Sequence, residues 1–238
     1  WPKNGGHMDW SKDNRIAFFA RTGRDHVLYI VDPKEEGKIL QKISLELDQA
    51  FSPKFSPDSK RVYFSAASNS VFDLYSVDLE TKEVANLTND EQYDTGPAVS
   101  PDGTKIAYVS NDGDFNHLFM LDLTDGSKRQ ITFNRYNDIE PNWSDSGNQL
   151  VFVSDEADKI FHPYTLDLVT NTRSRRLNLF GGGNNPMFAR NSEDTIYYTV
   201  YRTNDTFRGQ VYRNNEIFEA KLKEPITTEV VVDNHESN

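Results

Sequence analysis

The sequence predicts an all-β propeller, and three observations lead there. A short phrase recurs at a nearly fixed interval, the segments between recurrences are strand-like, and strand signals come four to a repeat. The phrase reads Asp9-Trp10-Ser11-Lys12-Asp13-Asn14, then Lys54-Phe55-Ser56-Pro57-Asp58-Ser59, Ala98-Val99-Ser100-Pro101-Asp102-Gly103 and Asn142-Trp143-Ser144-Asp145-Ser146-Gly147. A worn copy stands at Met187-Phe188-Ala189-Arg190-Asn191-Ser192. The apolar anchors Trp10, Phe55, Val99, Trp143 and Phe188 lie 45, 44, 44 and 45 residues apart. A period of about 40–45 residues in a strand-rich chain marks a propeller.

Each repeat opens with a strand ending at its anchor, followed by a turn best seen in Ser100-Pro101-Asp102-Gly103. Pro presets φ, Asp bonds back to the turn, and Gly supplies the positive φ. The second strands, 15–20, 61–65, 105–109, 149–153 and 195–199, are apolar at nearly every position. That is the pattern of strands buried on both faces. The third strands are 26–32, 72–79, 116–123, 161–168 and 215–222, and the first four carry Asp32, Asp78, Asp122 and Asp167 near their ends. Lys221 takes that place in the last repeat. The fourth strands, 39–45, 83–87, 128–133, 174–180 and 227–232, are more polar, as outer edges must be.

Five four-stranded antiparallel blades result, about 1–46, 47–90, 91–134, 135–180 and 181–238, in a single domain. The alternative is a six-bladed propeller trimmed of one blade. The chain starts at Trp1 without a signal-peptide pattern, so a domain excised from a longer protein is expected.

A formal charge of −11, from 26 basic and 37 acidic residues, opposes binding to nucleic acid, which needs a basic stripe. It also disfavours an anionic membrane surface, and no apolar run is long enough for direct membrane insertion. The absence of cysteine removes disulfides, thiolate metal sites and cysteine nucleophiles.

The runs Phe55-Ser56-Pro57-Asp58-Ser59-Lys60-Arg61-Val62-Tyr63-Phe64-Ser65 and Val99-Ser100-Pro101-Asp102-Gly103-Thr104-Lys105-Ile106-Ala107-Tyr108 resemble the repeat of the TolB-like propellers. So does Leu74-Tyr75-Ser76-Val77-Asp78 at the end of a third strand. The resemblance covers essentially the whole chain and departs from the family pattern in the worn fifth repeat. It implies kinship with periplasmic TolB, which binds other envelope proteins. It equally implies kinship with the accessory propellers of prolyl-oligopeptidase and tricorn-type proteases and of large envelope proteins.

Catalytic motifs are not legible. His7, His26, His117, His162 and His235 stand in no His-Glu-x-x-His arrangement, and no Gly-x-Ser-x-Gly elbow occurs. Gly181-Gly182-Gly183 leads into Asn184-Asn185-Pro186 and reads as an inter-blade turn rather than a phosphate cradle. Asp112, Asp114 and Asn116 alternate like the first half of a calcium loop, but His117 and Leu123 stand where that loop needs Gly and Glu. A plain hairpin is the expectation, with no metal and no cofactor.

Binding residues are expected on the loops joining second to third strands and one blade to the next. Three residues before the anchors stand His7, Ser52, Gly96, Glu140 and Asn185, which differ from blade to blade. Tyr93 and Tyr136 adjoin them in inter-blade loops, with Asp94, Arg135 and Asp138. Residues 201–214 form an insertion rich in Arg and aromatics, including Arg202, Phe207, Arg208 and Tyr212. Such residues suit an interface, and equally a long hairpin covering its own blade. The expected protein is non-catalytic, a protein-binding or scaffold propeller of a bacterial cell-envelope protein, periplasmic or extracellular. Its partner is another protein or another domain of the same polypeptide. The alternative is an accessory propeller that gates substrate entry for a peptidase whose catalytic domain is not on this chain.

Overall fold

A computed structural model describes residues 7–23, 25–111, 113–177, 179, 182–207, 210–222 and 225–231, with backbone alone for 201–215, 227, 229 and 230. The fold is an all-β propeller, with five antiparallel sheets built from twenty strands among the described residues. Among the described residues the one helical piece is a single 3-10 turn at Pro33–Glu35.

Sheet 1 holds β1 (Met8–Trp10), β2 (Ile16–Thr22), β3 (Asp25–Asp32) and β4 (Lys38–Leu45) in that order. Sheet 2 repeats the plan with β5 (Gln49–Phe55), β6 (Arg61–Ser68), β7 (Val71–Asp78) and β8 (Val84–Asn86). Sheet 3 does so with β9 (Tyr93–Val99), β10 (Lys105–Asn111), β11 (Asn116–Asp122) and β12 (Lys128–Gln130). Sheet 4 contains β13 (Asp138–Trp143), β14 (Gln149–Ser154), β15 (His162–Asp167) and β16 (Thr172–Arg175), and sheet 5 contains β17 (Asn184–Phe188), β18 (Thr195–Phe207) and β19 (Gln210–Lys221). The chain forms two compact units, Trp1–Asp114 with Phe119–Arg129 and Phe115–Leu118 with Gln130–Asn238.

The recurring phrase is a hairpin device. The buried Ser56 hydroxyl donates to Asp58 at 2.6 Å and accepts the Arg61 amide at 2.9 Å. Ser100 does the same with Asp102 at 2.6 Å and the Lys105 amide at 2.9 Å. Ser11 bonds Asp13 at 2.5 Å and the Arg15 amide at 2.8 Å. Each buried serine thus gives an acceptor to a turn amide that the hairpin would otherwise leave without one. In the worn repeat Ala189 has no hydroxyl, and the Ser–Asp bond moves along the turn to Ser192 and Asp194.

The aspartates closing the third strands cap the next turn. Asp78 accepts the Glu80 amide at 2.9 Å and the Thr81 amide at 3.1 Å. Asp122 accepts from Thr124, and Asp167 from Val169 and Thr170. A lysine side chain cannot accept an amide, so Lys221 cannot supply this cap. The last strand, expected on the edge of sheet 5, lies elsewhere. β20 (Thr227–Val230) pairs antiparallel with β16 and makes sheet 4 five-stranded, leaving sheet 5 with three.

One aromatic pair between second and third strands recurs in every blade. Phe18 stacks on Tyr29 with centroids 5.4 Å apart, and Phe64 on Tyr75 at 5.9 Å. Tyr108 meets Phe119 at 5.8 Å, Phe152 meets Tyr164 at 6.0 Å, and Tyr198 stacks on Phe218 at 5.8 Å. Cross-strand aromatic pairs of this kind fix strand register. Around them, Leu28, Ile30, Val62, Phe64, Ala66 and Val77 bury one core cluster of the first unit, and Val151, Ile196 and Tyr198 anchor one of the second.

The inner strands are bulged at one repeated place. Ser52, Gly96, Glu140 and Asn185 take φ of 52°, 64°, 57° and 50°. The strand register shifts across Phe51/Lys54, Ile139/Asn142 and Asn184/Met187. A left-handed residue suits a bulge of this kind, and only glycine adopts it without strain. A Cβ on Gly96 would meet nothing nearer than Val109 at 3.8 Å, so space is not limiting there. Gly96→Ala is therefore expected to cost about 1 kcal/mol through backbone conformation alone. Urea unfolding checks this, with a larger loss pointing to a steric clash instead.

Candidate functional site

The bulge positions are where neighbouring blades touch. His7 Nδ1 lies 2.5 Å from Ser52 Oγ, and the Asn185 amide donates to Glu140 Oε2 at 2.5 Å. Desolvation lowers the His7 pKa, with the charge of Lys54 adding to the effect. Burial raises the Glu140 pKa against the bond from Asn185. The His7–Ser52 pair has the atoms of a base and a nucleophile, but a triad needs a carboxylate to orient the imidazole. His7 has a lysine charge beside it instead. Both side chains sit in a repeated structural position, and among the described residues they complete no triad.

An aromatic edge lies in the first unit. Phe51 of β5 packs edge-on against Phe72 of β7 at 5.6 Å, and Phe72 packs against Tyr93 of β9 at 5.8 Å. Phe51 and Phe72 are half-buried, while Tyr93 is 51% exposed. The β6–β7 turn beside them runs through Asn69 and Ser70 at φ 52° and 68°, and Asp48 accepts the Asn69 amide. These rings stand at the end of the blades that carries the second-to-third strand loops and the inter-blade connections.

Next in sequence to two of these rings are two buried carboxylates. Asp73, Asp90 and Asp94 each bring one oxygen within 4.8 Å of the others. Asp73 accepts the Thr88 hydroxyl at 3.0 Å and the Asn86 side-chain amide at 2.8 Å. Asp90 accepts the Gln92 amide at 2.9 Å and Lys128 Nζ at 2.5 Å. Asp94 is fully buried, and neither of its oxygens has a hydrogen-bond partner. Burial pushes its carboxyl up to about 6, with Asp90 adding to the rise; the Ser110 and Thr88 hydroxyls, which lie beside it but are hydrogen-bonded to Gln92 and Asp73, and the charge of Lys128 pull against it.

The same positions one repeat later, in the second unit, are filled differently. His117, Thr132, Asn134 and Asp138 replace Asp73, Thr88, Asp90 and Asp94. Asn134 donates to Asp138 at 3.0 Å, and the buried Arg173 pairs with Asp138 at 3.0 Å. Arg173 also bonds Ser154 at 2.8 Å and pairs with Glu156, and its guanidinium lies 4.3 Å from the Tyr164 ring centroid. There the buried carboxylate is fully compensated.

The TolB beta propeller domain model matches residues 8–223. The chain belongs to the TolB beta propeller domain family. No curated protein sequence matches it. Among solved structures, this TolB-family propeller is similar to TolB from Acinetobacter baumannii at 22% identity and a TM-score of 0.70, covering 92% of this chain. It spans 54% of that protein, about half its length. A putative TolB from Agrobacterium tumefaciens gives 15% identity and 0.68 over 91% of this chain and 81% of that one. The tricorn protease gives 16% identity and 0.65 over 93% of this chain and 26% of that one. At these identities the likeness is one of fold.

Within this TolB-family propeller the sequence-derived candidates are scattered. Tyr93 lies on the aromatic edge, and Tyr136 sits under Lys159, whose Nζ is 4.9 Å from the ring centroid. His7 lies just before β1 in the first unit, and Glu140 belongs to a bulge of the second. Residues 201–207 and 210–214 belong to the far part of β18 and β19, paired out to Phe207↔Gln210. For Arg202, Phe207 and Tyr212 the structure describes only the backbone, and Arg208 lies outside the described residues. Of the calcium-like loop, Asp112 also lies outside them, and Asn116 donates to Asn137 at 3.0 Å. Phe51, Phe72, Asp73 and Asp90 were not singled out by the sequence.

Two expectations follow from the buried charges. The Asp94 pKa is raised on folding, so the protonated acid favours the fold. That contribution is complete below about pH 4 and is lost as pH rises through about 6. In chelator-treated protein, Asp94→Asn should stabilise at pH 8 by on the order of 3 kcal/mol and have no effect near pH 4, as read by thermal unfolding. Equal effects at both pH values would contradict it. Arg173→Met strands Asp138 and should cost about 3–5 kcal/mol, as read by the urea midpoint, with the added Asp138→Asn recovering part of the loss.

Proposed function

We propose that this chain is a non-catalytic protein-binding propeller of a bacterial cell-envelope protein. The observation that carries the reading is the aromatic edge of Phe51, Phe72 and Tyr93. A run of half-exposed rings on a rigid sheet end supplies apolar contact area at low conformational cost, and aromatic residues anchor protein interfaces. The surroundings are acidic, with Asp48 and Glu91 exposed near the rings in a chain of net charge −11. The fitting occupant is therefore a protein surface with an apolar centre and basic rim. The envelope setting is supported by the family and by the fold shared with TolB from two bacteria. The arginine- and aromatic-rich hairpin with Arg202, Phe207, Arg208 and Tyr212 supplies a second candidate contact, alongside His7, Tyr136 and Glu140.

The second reading, a substrate-gating propeller of a peptidase, draws on the shared fold with the tricorn protease, of which this chain spans about a quarter. A hydrolase domain encoded in the same reading frame, with substrate selection altered by changes at the aromatic edge, would favour it.

For the first reading, Phe72→Ala and Tyr93→Ala should each weaken binding to an envelope protein, identified by capture and then purified, by roughly 10-fold or more. Circular dichroism should be unchanged. Full affinity in both variants would remove the aromatic edge as the site. A loss confined to a variant with Arg202, Phe207 and Arg208 changed to Ala would move it to the hairpin.

A further inference from the structure

We propose that Asp73, Asp90 and Asp94 hold one hard divalent cation, calcium being the best match, between sheets 2 and 3 of the first unit. Each residue presents one oxygen, and the three oxygens lie within 4.8 Å of one another, close enough to share an ion. All-oxygen coordination selects the hard cations, and calcium sheds its water into a buried site more readily than magnesium.

A cluster of acids alone would carry no such conclusion. The decisive observation is Asp94, whose two oxygens are fully buried and lack any hydrogen-bond partner. Buried polar atoms in native proteins are almost always satisfied, and an orphaned pair points to a group that belongs there. The surrounding donors are already committed. The Thr88 hydroxyl and Asn86 bond Asp73, and Ser110 bonds Gln92 at 3.0 Å. Lys128 bonds Asp90 and the Thr88 carbonyl. One ammonium among three carboxylates leaves two negative charges uncompensated, which a divalent ion would balance.

The next repeat supplies an internal control. There the matching positions carry His117, Asn134 and Asp138, and Arg173 neutralises the remaining acid. The three-carboxylate set is thus not a requirement of the repeat. It arises at the positions beside Phe72 and Tyr93, so an ion held there would fix the strands that display two rings of the aromatic edge. This consequence rests on the proposed binding role, whereas the cation site itself does not.

The test uses the whole chain after treatment with chelator. Millimolar calcium should raise its Tm by about 5 °C or more in a saturable way. Magnesium should act more weakly. Terbium should bind and show emission sensitised by nearby tyrosine, and calcium should displace it. Asp94→Asn and Asp73→Asn should each abolish the Tm shift and the terbium signal. Lys128→Met, which removes the competing ammonium, should retain both and tighten binding. No Tm shift and no terbium binding in the unaltered chain would overturn the proposal, as would an undiminished response in Asp94→Asn. Should that variant not fold, terbium binding that persists in Asp90→Asn with unaltered affinity would overturn it equally. Full partner affinity in Phe72→Ala and Tyr93→Ala, with calcium binding intact, would count against the aromatic edge and leave the cation site standing.

Discussion

An innermost propeller strand has one neighbour within its own sheet, so the other side of its backbone must find partners elsewhere. Buried amides and carbonyls left without partners are too costly to tolerate. Within each unit the preceding blade supplies them. Asp9 accepts the Phe55 amide at 2.8 Å, and the Ser65 hydroxyl accepts the Gly96 amide at 3.0 Å. Asn142 donates to the Pro186 carbonyl at 2.9 Å, and Asp145 accepts the Asn191 amide at 2.7 Å. The bulges with their left-handed residues bend the strands so that these groups meet. The serine turns and the aromatic pairs then hold each blade to that spacing.

What the sequence made legible was local. The Ser–Asp turn and the Asp that ends each of the first four third strands act within a few residues of themselves, and both appear in the structure as hydrogen bonds. The place of β20 was not legible, because Lys221 lacks the capping carboxylate and does not name a new partner. Asp73, Asp90 and Asp94 are separated by 17 and 4 residues and match no local metal motif. Aligning the repeats offers the missing signal, since the same columns read Asp, Asp, Asp in one copy and His, Asn, Asp in the next. Phe51, Phe72 and Tyr93 stand 21 residues apart at different places in the repeat, so periodicity hides them and only sheet packing brings them together.

The two buried acids show how one scaffold handles one electrostatic problem in different ways. Asp138 is neutralised by an arginine that lies against aromatic faces and bonds a serine and a second acid. Such a cluster gives firm placement and little freedom. Asp94 has no such partner and depends on a proton or an ion from outside the chain. Stability in the first unit is therefore open to the composition of the surrounding solution, while the Arg173 cluster is closed to it.

The return of β20 to sheet 4 also sets an order of assembly. Thr172 pairs with Val230, so this contact spans nearly sixty residues and waits for all of sheet 5 to be made. On a ribosome, β16 would leave the exit tunnel as a bare edge and remain so while the long β18–β19 hairpin forms from neighbouring residues. Non-local strand pairing is slow, and exposed edges invite the wrong partner. The propeller thus carries its slowest step at its outer rim, and a ribosome that stalls before residue 227 would leave a nascent chain with four sheets' worth of order and one open seam.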